Sequence, residues 1–133
     1  MFLIEWKSDY SVGVQELDDQ HKKMFVLINQ FYELMKETKD IKNIEKMLGE
    51  LSDYGKYHLE TEQKLFAEYG YPEKEDHQKI HDAYRAKIGE FLQKKDDALL
   101  SFEIIDFLED WWLGHIASTD KKYQKFFNEK GLE

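Results

Sequence analysis

Five histidines and two acids carry the chemistry that this 133-residue chain could perform. His77 and His81 stand four apart, as do His58 and Glu62; Asp120 follows His115 by five, and His21 stands alone. Four residues are close to one helical turn, so on a helix each four-spaced pair leaves the same face. Such a pair can grip one ion from a single helix, or be two solvated side chains. Seven imidazole and carboxylate groups are too many for one tetrahedral zinc. They suit two ions with both carboxylates bridging. The donor set is borderline in softness and fits iron, with manganese and zinc left open. An odd number of histidines cannot be shared equally. Three imidazoles, two bridging carboxylate oxygens and a bridging oxide or hydroxide fill one six-coordinate ion. Two imidazoles and the same bridges leave the other ion with an open position for a small ligand.

For that chemistry the seven groups must face one another, and helical periodicity puts six of them there. Pro72 is the one proline, and strand-like alternation is scarce. After an irregular arm, residues 1–17, Asp18 is placed to cap a first helix to about Glu37. Its stripe is Met24, Phe25, Ile28, Phe31 and Met35, with His21 on the same face. Asp40 is placed to cap a second helix to about Tyr69, with Ile44, Leu48, Leu51, His58, Glu62 and Leu65 inward. The run YGYP breaks the chain, and Pro72 suits the start of a third helix. That helix turns His77, His81, Tyr84, Ile88 and Leu92 to one side. QKKDD connects it to a fourth, from about Leu99 or Ser101 to Phe127, with Ile104, Leu108, Trp111 and His115 in register. Asp120 is rotated about 140° from His115 on an ideal helix, so it joins the cluster only through an offset ion or a local distortion. Short connections favour antiparallel neighbours, giving an all-α, up-down four-helix bundle as one domain over residues 1–133, with the bundle at about 18–127. A buried network of histidines and acids is the alternative to a metal site; convergence from four helices favours the metal.

Bulk properties narrow the partners. Hydrophobic residues at 41% and aromatics at 15% describe a folded chain. A net charge of −9 with dispersed lysines argues against nucleic acid and anionic membranes. Absence of cysteine excludes disulfides, thiolate metal sites and a cysteine nucleophile. No secretory signal and no run of about 18 apolar residues is present, so the expected location is cytoplasmic.

The chain resembles the hemerythrin family, in its single-domain bacterial form. The resemblance runs from Trp6 to about Phe127 and is carried by Trp6, YSVGVQELDDQHKKMF at 10–25, HLETE at 58–62, YPEKEDHQKIH at 71–81 and WWLGHIASTDKKY at 111–123. Every slot of the pattern H…HxxxE…HxxxH…HxxxxD is filled. The resemblance implies His77, His81 and His115 on a saturated iron, His21 and His58 on an open iron, and Glu62 and Asp120 bridging. It implies reversible, end-on binding of dioxygen at the open iron, each iron supplying one electron and the bridging hydroxide a proton. The role implied is oxygen storage, delivery or sensing, without enzymatic turnover. A di-iron enzyme acting on nitric oxide, peroxide or ferrous iron is the alternative class. Adjacency to the ligands assigns Met24, Leu59, Trp111, Trp112 and Ile116 to the oxygen pocket, although a plain core role accounts for each equally well. The family's usual residues are Phe at the position of Leu59 and Leu at that of Trp112. The smaller Leu59 is expected to supply the volume that the indole takes. Tyr123 is either a donor to a metal ligand or an ordinary tyrosine at the end of the bundle.

Overall fold

The computed structural model describes residues 3–37, 41–93 and 100–133, without the side chains of residues 41, 92, 100 and 101. The chain folds as the expected antiparallel four-helix bundle behind an irregular arm. Its helices are α1 (Gln15–Glu37), α2 (Ile41–Tyr69), α3 (Lys74–Gln93) and α4 (Leu100–Gly114). A π-helical turn (His115–Thr119), a 3-10 turn (Asp120–Tyr123) and a short α5 (Gln124–Glu129) continue α4. α1 packs on α2 and α4, and α2 packs on α3. No helix among the described residues is long and apolar enough to cross a membrane.

The first helix begins earlier than its capping signal implies. Asp18 lies a full turn inside α1, its amide bonded to the carbonyl of Val14 at 2.9 Å. Its carboxylate accepts from Ser11 Oγ at 2.6 Å and from the Val12 amide at 2.8 Å. Asp18 therefore fastens the arm, while its charge still complements the positive end of the helix. The arm is held further along by Asn29, whose side chain accepts from the Ile4 amide at 3.0 Å and donates to the Ile4 carbonyl at 2.8 Å. Trp6 and Tyr10 pack against Phe25, with ring centroids 5.7 and 5.8 Å away.

The break between α2 and α3 also differs in detail. Gly70 takes φ +72°, and the Tyr71 amide reaches back to the Phe66 carbonyl at 2.9 Å, a left-handed C-terminal cap. Pro72 follows that cap, and α3 starts two residues later at Lys74. Pro72 lies in the connection rather than in α3, since α2 has already ended at the Gly70 cap. Asp40, most of the QKKDD connection and Leu99 lie outside the described residues.

The inward stripes are as the periodicity requires. Met24, Phe25, Ile28, Phe31, Leu48, Leu51, Tyr84, Ile88, Ile104 and Leu108 are buried. On α2 the innermost place goes to Phe66, four residues after Glu62, and Leu65 is half-buried. On α4 Trp112 is fully buried and Trp111 half-buried, the reverse of the expected emphasis.

Candidate metal centre

All five histidines, Glu62 and Asp120 are buried, and they converge at the centre of the bundle. Their ligand atoms form two groups. One is Glu62, His77, His81, His115 and Asp120; the other is His21, His58, Glu62 and Asp120. Both carboxylates belong to both groups, so the split is three imidazoles against two around a shared pair of acids. Asp120 divides its oxygens accordingly. Oδ1 lies 2.8 Å from His115 Nε2 and 3.0 Å from His77 Nε2, whereas Oδ2 lies 3.2 Å from His21 Nε2. Glu62 Oε1 sits between His58 Nε2 at 3.1 Å and His81 Nε2 at 3.5 Å, and Oε2 is 4.0 Å from His77 Nε2.

Asp120 reaches the cluster through a backbone distortion. Residues 115–119 form the π-helical turn, and the Asp120 amide donates to the His115 carbonyl, five residues back. A five-residue turn restores what a five-residue spacing loses on an α-helix, so both side chains share a face. Ser118 Oγ donates to the Gly114 carbonyl at 2.6 Å within the same stretch, a bond that favours bending.

A satisfied polar network would leave few loose ends. Here Nε2 of His21, His58 and His77 and all four oxygens of Glu62 and Asp120 are buried without a hydrogen bond. Nε2 of His81 and of His115 face each other at 3.3 Å. Buried carboxylates that approach imidazoles without well-formed hydrogen bonds are costly unless something else compensates them. Atoms of this kind, turned to common points, fit metal ions and do not fit a hydrogen-bonded core.

The electrostatics match at both carboxylates and at His58 and His81. Burial, then Asp120, pushes Glu62 up, but the imidazoles of His58 and His81 outweigh them and hold it below the ordinary carboxylate value. Burial likewise opposes ionisation of Asp120, and His115, His21 and His77 hold it well below its ordinary value. Burial pushes His58 down and His81 down to about 3, keeping both imidazoles neutral as ligands require. His115 is pushed down by burial and raised further by Asp120, for a net upward shift.

Outer partners orient the rings. Gln20 Oε1 lies 2.6 Å from His58 Nδ1, and Tyr54 OH donates to the Gln20 carbonyl at 3.3 Å. A proton on Nδ1 leaves Nε2 of His58 free to ligate. On the other group, Gln63 Nε2 lies 3.3 Å from His81 Nδ1, and Arg85 donates to Gln63 Oε1 at 3.3 Å. Gln20 and Gln63 escaped the sequence reading. Their signal was position alone, one residue before His21 and one after Glu62. Tyr123 is fully buried, its OH has no hydrogen bond, and its ring is 5.9 Å from that of His77. Burial, then Asp120 and Glu62, raises its pKa well above the ordinary phenol value.

Of the pocket residues, Met24, Leu59, Trp112 and Ile116 are completely buried. The indole of Trp112 lies 5.6 Å from the His58 ring, on the two-imidazole side. Trp111 stacks on His115 at 4.2 Å and 13°, which puts it against the three-imidazole group instead. Successive residues on a helix point about 100° apart, so the two tryptophans cannot both cover one side. The indole N–H of Trp112 donates to Tyr84 OH at 3.1 Å and is not aimed at the ligands.

Residues 12–127 match the family described as Hemerythrin HHE cation binding domain. The chain belongs to the hemerythrin family. A bacteriohemerythrin of Clostridium acetobutylicum is 29% identical over 124 residues, covering 89% of this chain and 96% of the relative. A hemerythrin-like protein of Naegleria gruberi is 32% identical over 120 residues, covering 90% of this chain and 89% of that one. The crystal structure of a wild-type hemerythrin superposes with a TM-score of 0.82 at 25% identity, over 92% of this chain and 96% of the other. The hemerythrin bundle is thus shared over most of both chains.

Proposed function

We propose that the protein binds dioxygen reversibly at a pair of irons held by His21, His58, Glu62, His77, His81, His115 and Asp120. A hemerythrin with this donor set buried at its centre is an oxygen-binding, non-haem di-iron protein. The observation that carries the finer reading is the three-to-two division of imidazoles around two shared carboxylates. His77, His81 and His115 would saturate one iron, and His21 and His58 would leave the other a position for dioxygen. Glu62 and Asp120 would bridge, together with an oxide or hydroxide.

When bound in the ferrous state, the two irons would supply the two electrons that dioxygen takes up. The chain's own part is to hold, orient and exclude. Gln20 fixes the tautomer and tilt of His58. Trp112 packs on His58, and the fully buried Met24, Leu59 and Ile116 would complete an apolar wall on the two-imidazole side that keeps out the water that drives irreversible oxidation. Five neutral imidazoles against two anionic ligands favour the reduced ions and hence release. A carboxylate-rich site on a similar bundle favours high-valent iron and turnover.

A di-iron enzyme acting on nitric oxide, peroxide or ferrous iron would use the same donors, so the test must separate binding from turnover. Reduced, iron-loaded protein is cycled between dioxygen and argon while its visible spectrum is followed. A band that appears and disappears over many cycles supports the binder. Consumption of dioxygen without a persisting band identifies the enzyme.

A further inference from the structure

A groove of about 200 Å³ lies between α2 and α3, lined by Ser52, Lys56, Tyr84, Arg85, Ile88 and Gly89. Its wall also belongs to the surroundings of the two-imidazole group. That shared wall is Tyr84. On its inner side Tyr84 OH accepts the indole N–H of Trp112, and the indole packs on His58. The phenol is otherwise held by aromatic contacts, with Trp111 at 4.2 Å and Phe107 at 5.8 Å. Two side chains, Tyr84 and behind it Trp112, therefore separate open groove from buried imidazole, joined by one hydrogen bond.

The space for that side chain to move comes from a glycine. Gly55 sits in mid-α2, where glycine is unfavourable for the helix. A Cβ built there would lie 3.4 Å from Tyr84 OH and 3.6 Å from Met24 Cε. It would fit without collision but would fill the gap beside the latch. The rim is cationic in a chain of net charge −9. Arg85 is paired with Asp82 at 3.0 Å, whereas Lys56 forms no ion pair among the described residues.

We propose that this groove is the inlet through which small ligands reach the two-imidazole iron, with Tyr84 as its gate, Gly55 as the room the gate needs, and Lys56 drawing in anions. The inlet rests on the function proposed above, since it leads to the iron held by His21 and His58. Opening consists of Tyr84 swinging toward the groove and leaving Trp112, which frees the indole to turn away from His58. No bond is made or broken beyond that hydrogen bond.

Azide is the probe, mixed by stopped flow with the oxidised, iron-loaded full-length protein at low and high ionic strength. Gly55→Ala is expected to slow azide association severalfold while raising the melting temperature, because it fills the gap and removes a helix-weakening glycine. Tyr84→Phe, which removes the latch, is expected to speed association. Lys56→Glu is expected to slow it by about threefold or more at low salt, with the difference vanishing at high salt, and Lys125→Glu on distant α5 is the matched charge control. Iron content and melting temperature are measured for every variant, so a folding defect is separated from a changed rate. A parent protein that takes no azide overturns the di-iron reading and the inlet with it. A parent that binds azide, with rates in Gly55→Ala and Tyr84→Phe equal to its own, overturns the gate alone. Equal effects of Lys56→Glu and Lys125→Glu overturn the electrostatic role.

Discussion

Trp112 is a single residue on which packing and ligand access meet. Its indole fills fully buried space against His58 and hands its N–H to Tyr84. Trp112→Leu should therefore do three things at once. It should cost about 2–4 kcal/mol by opening a cavity, read from urea unfolding. It should release Tyr84 and speed azide association. It should shorten the life of the oxygenated form without changing iron content, because no ligand is touched. Equal azide rates in the two proteins would remove Trp112 from the route. A second expectation at this scale is asymmetry: azide should coordinate only the iron of His21 and His58, and a crystal structure with azide on the iron of His77, His81 and His115 would reverse the assignment. Six of the donors were legible in the sequence because His21, His58, Glu62, His77, His81 and His115 fell in register with apolar stripes, whereas Asp120 came in through the family resemblance. The division between Trp111 and Trp112 was not. Two adjacent indoles read alike in a pattern, and only the rotation of α4 decides that one stacks on His115 while the other faces His58.

Among the elements, the helices themselves were legible and their ends were not. Asp18 carries an N-cap signature, yet the helix starts one turn earlier and the carboxylate clasps Ser11 and the Val12 amide. A side chain that can bond a backbone amide does so wherever the chain offers one, and here the buried arm offers two donors. Asp18→Ala should leave helix content intact and cost about 2 kcal/mol, seen in chemical denaturation, since both donors lose a charged acceptor. If Asp18 only capped the helix, the loss would appear as fraying of α1 in hydrogen exchange with the arm unaffected. The π-helical turn was legible only as a conflict. Asp120 belonged with the ligands by type and stood off by angle, and the backbone yields the difference by widening one turn. A locally unfavourable turn is tolerated where it sets a functional group, which is why spacing alone cannot foresee it.

For the molecule as a whole, the metal centre is also the middle of the core. Removing the ions leaves buried carboxylates and imidazoles facing one another without well-formed hydrogen bonds, and ligand binding adds stability that grows with the logarithm of the ligand concentration relative to its dissociation constant. Iron-stripped protein should melt well below the loaded form, by roughly 10 °C or more, as measured by circular dichroism with and without added ferrous iron. Loaded protein should carry two irons per chain by elemental analysis; one iron, or stoichiometric zinc, would contradict the shared-carboxylate reading. This coupling reaches beyond the folded state. A chain whose interior is complete only when loaded is exposed to proteases whenever iron is scarce, because the unloaded form opens more often. Its half-life in a cell then follows the iron supply, and its abundance becomes a gauge of that supply.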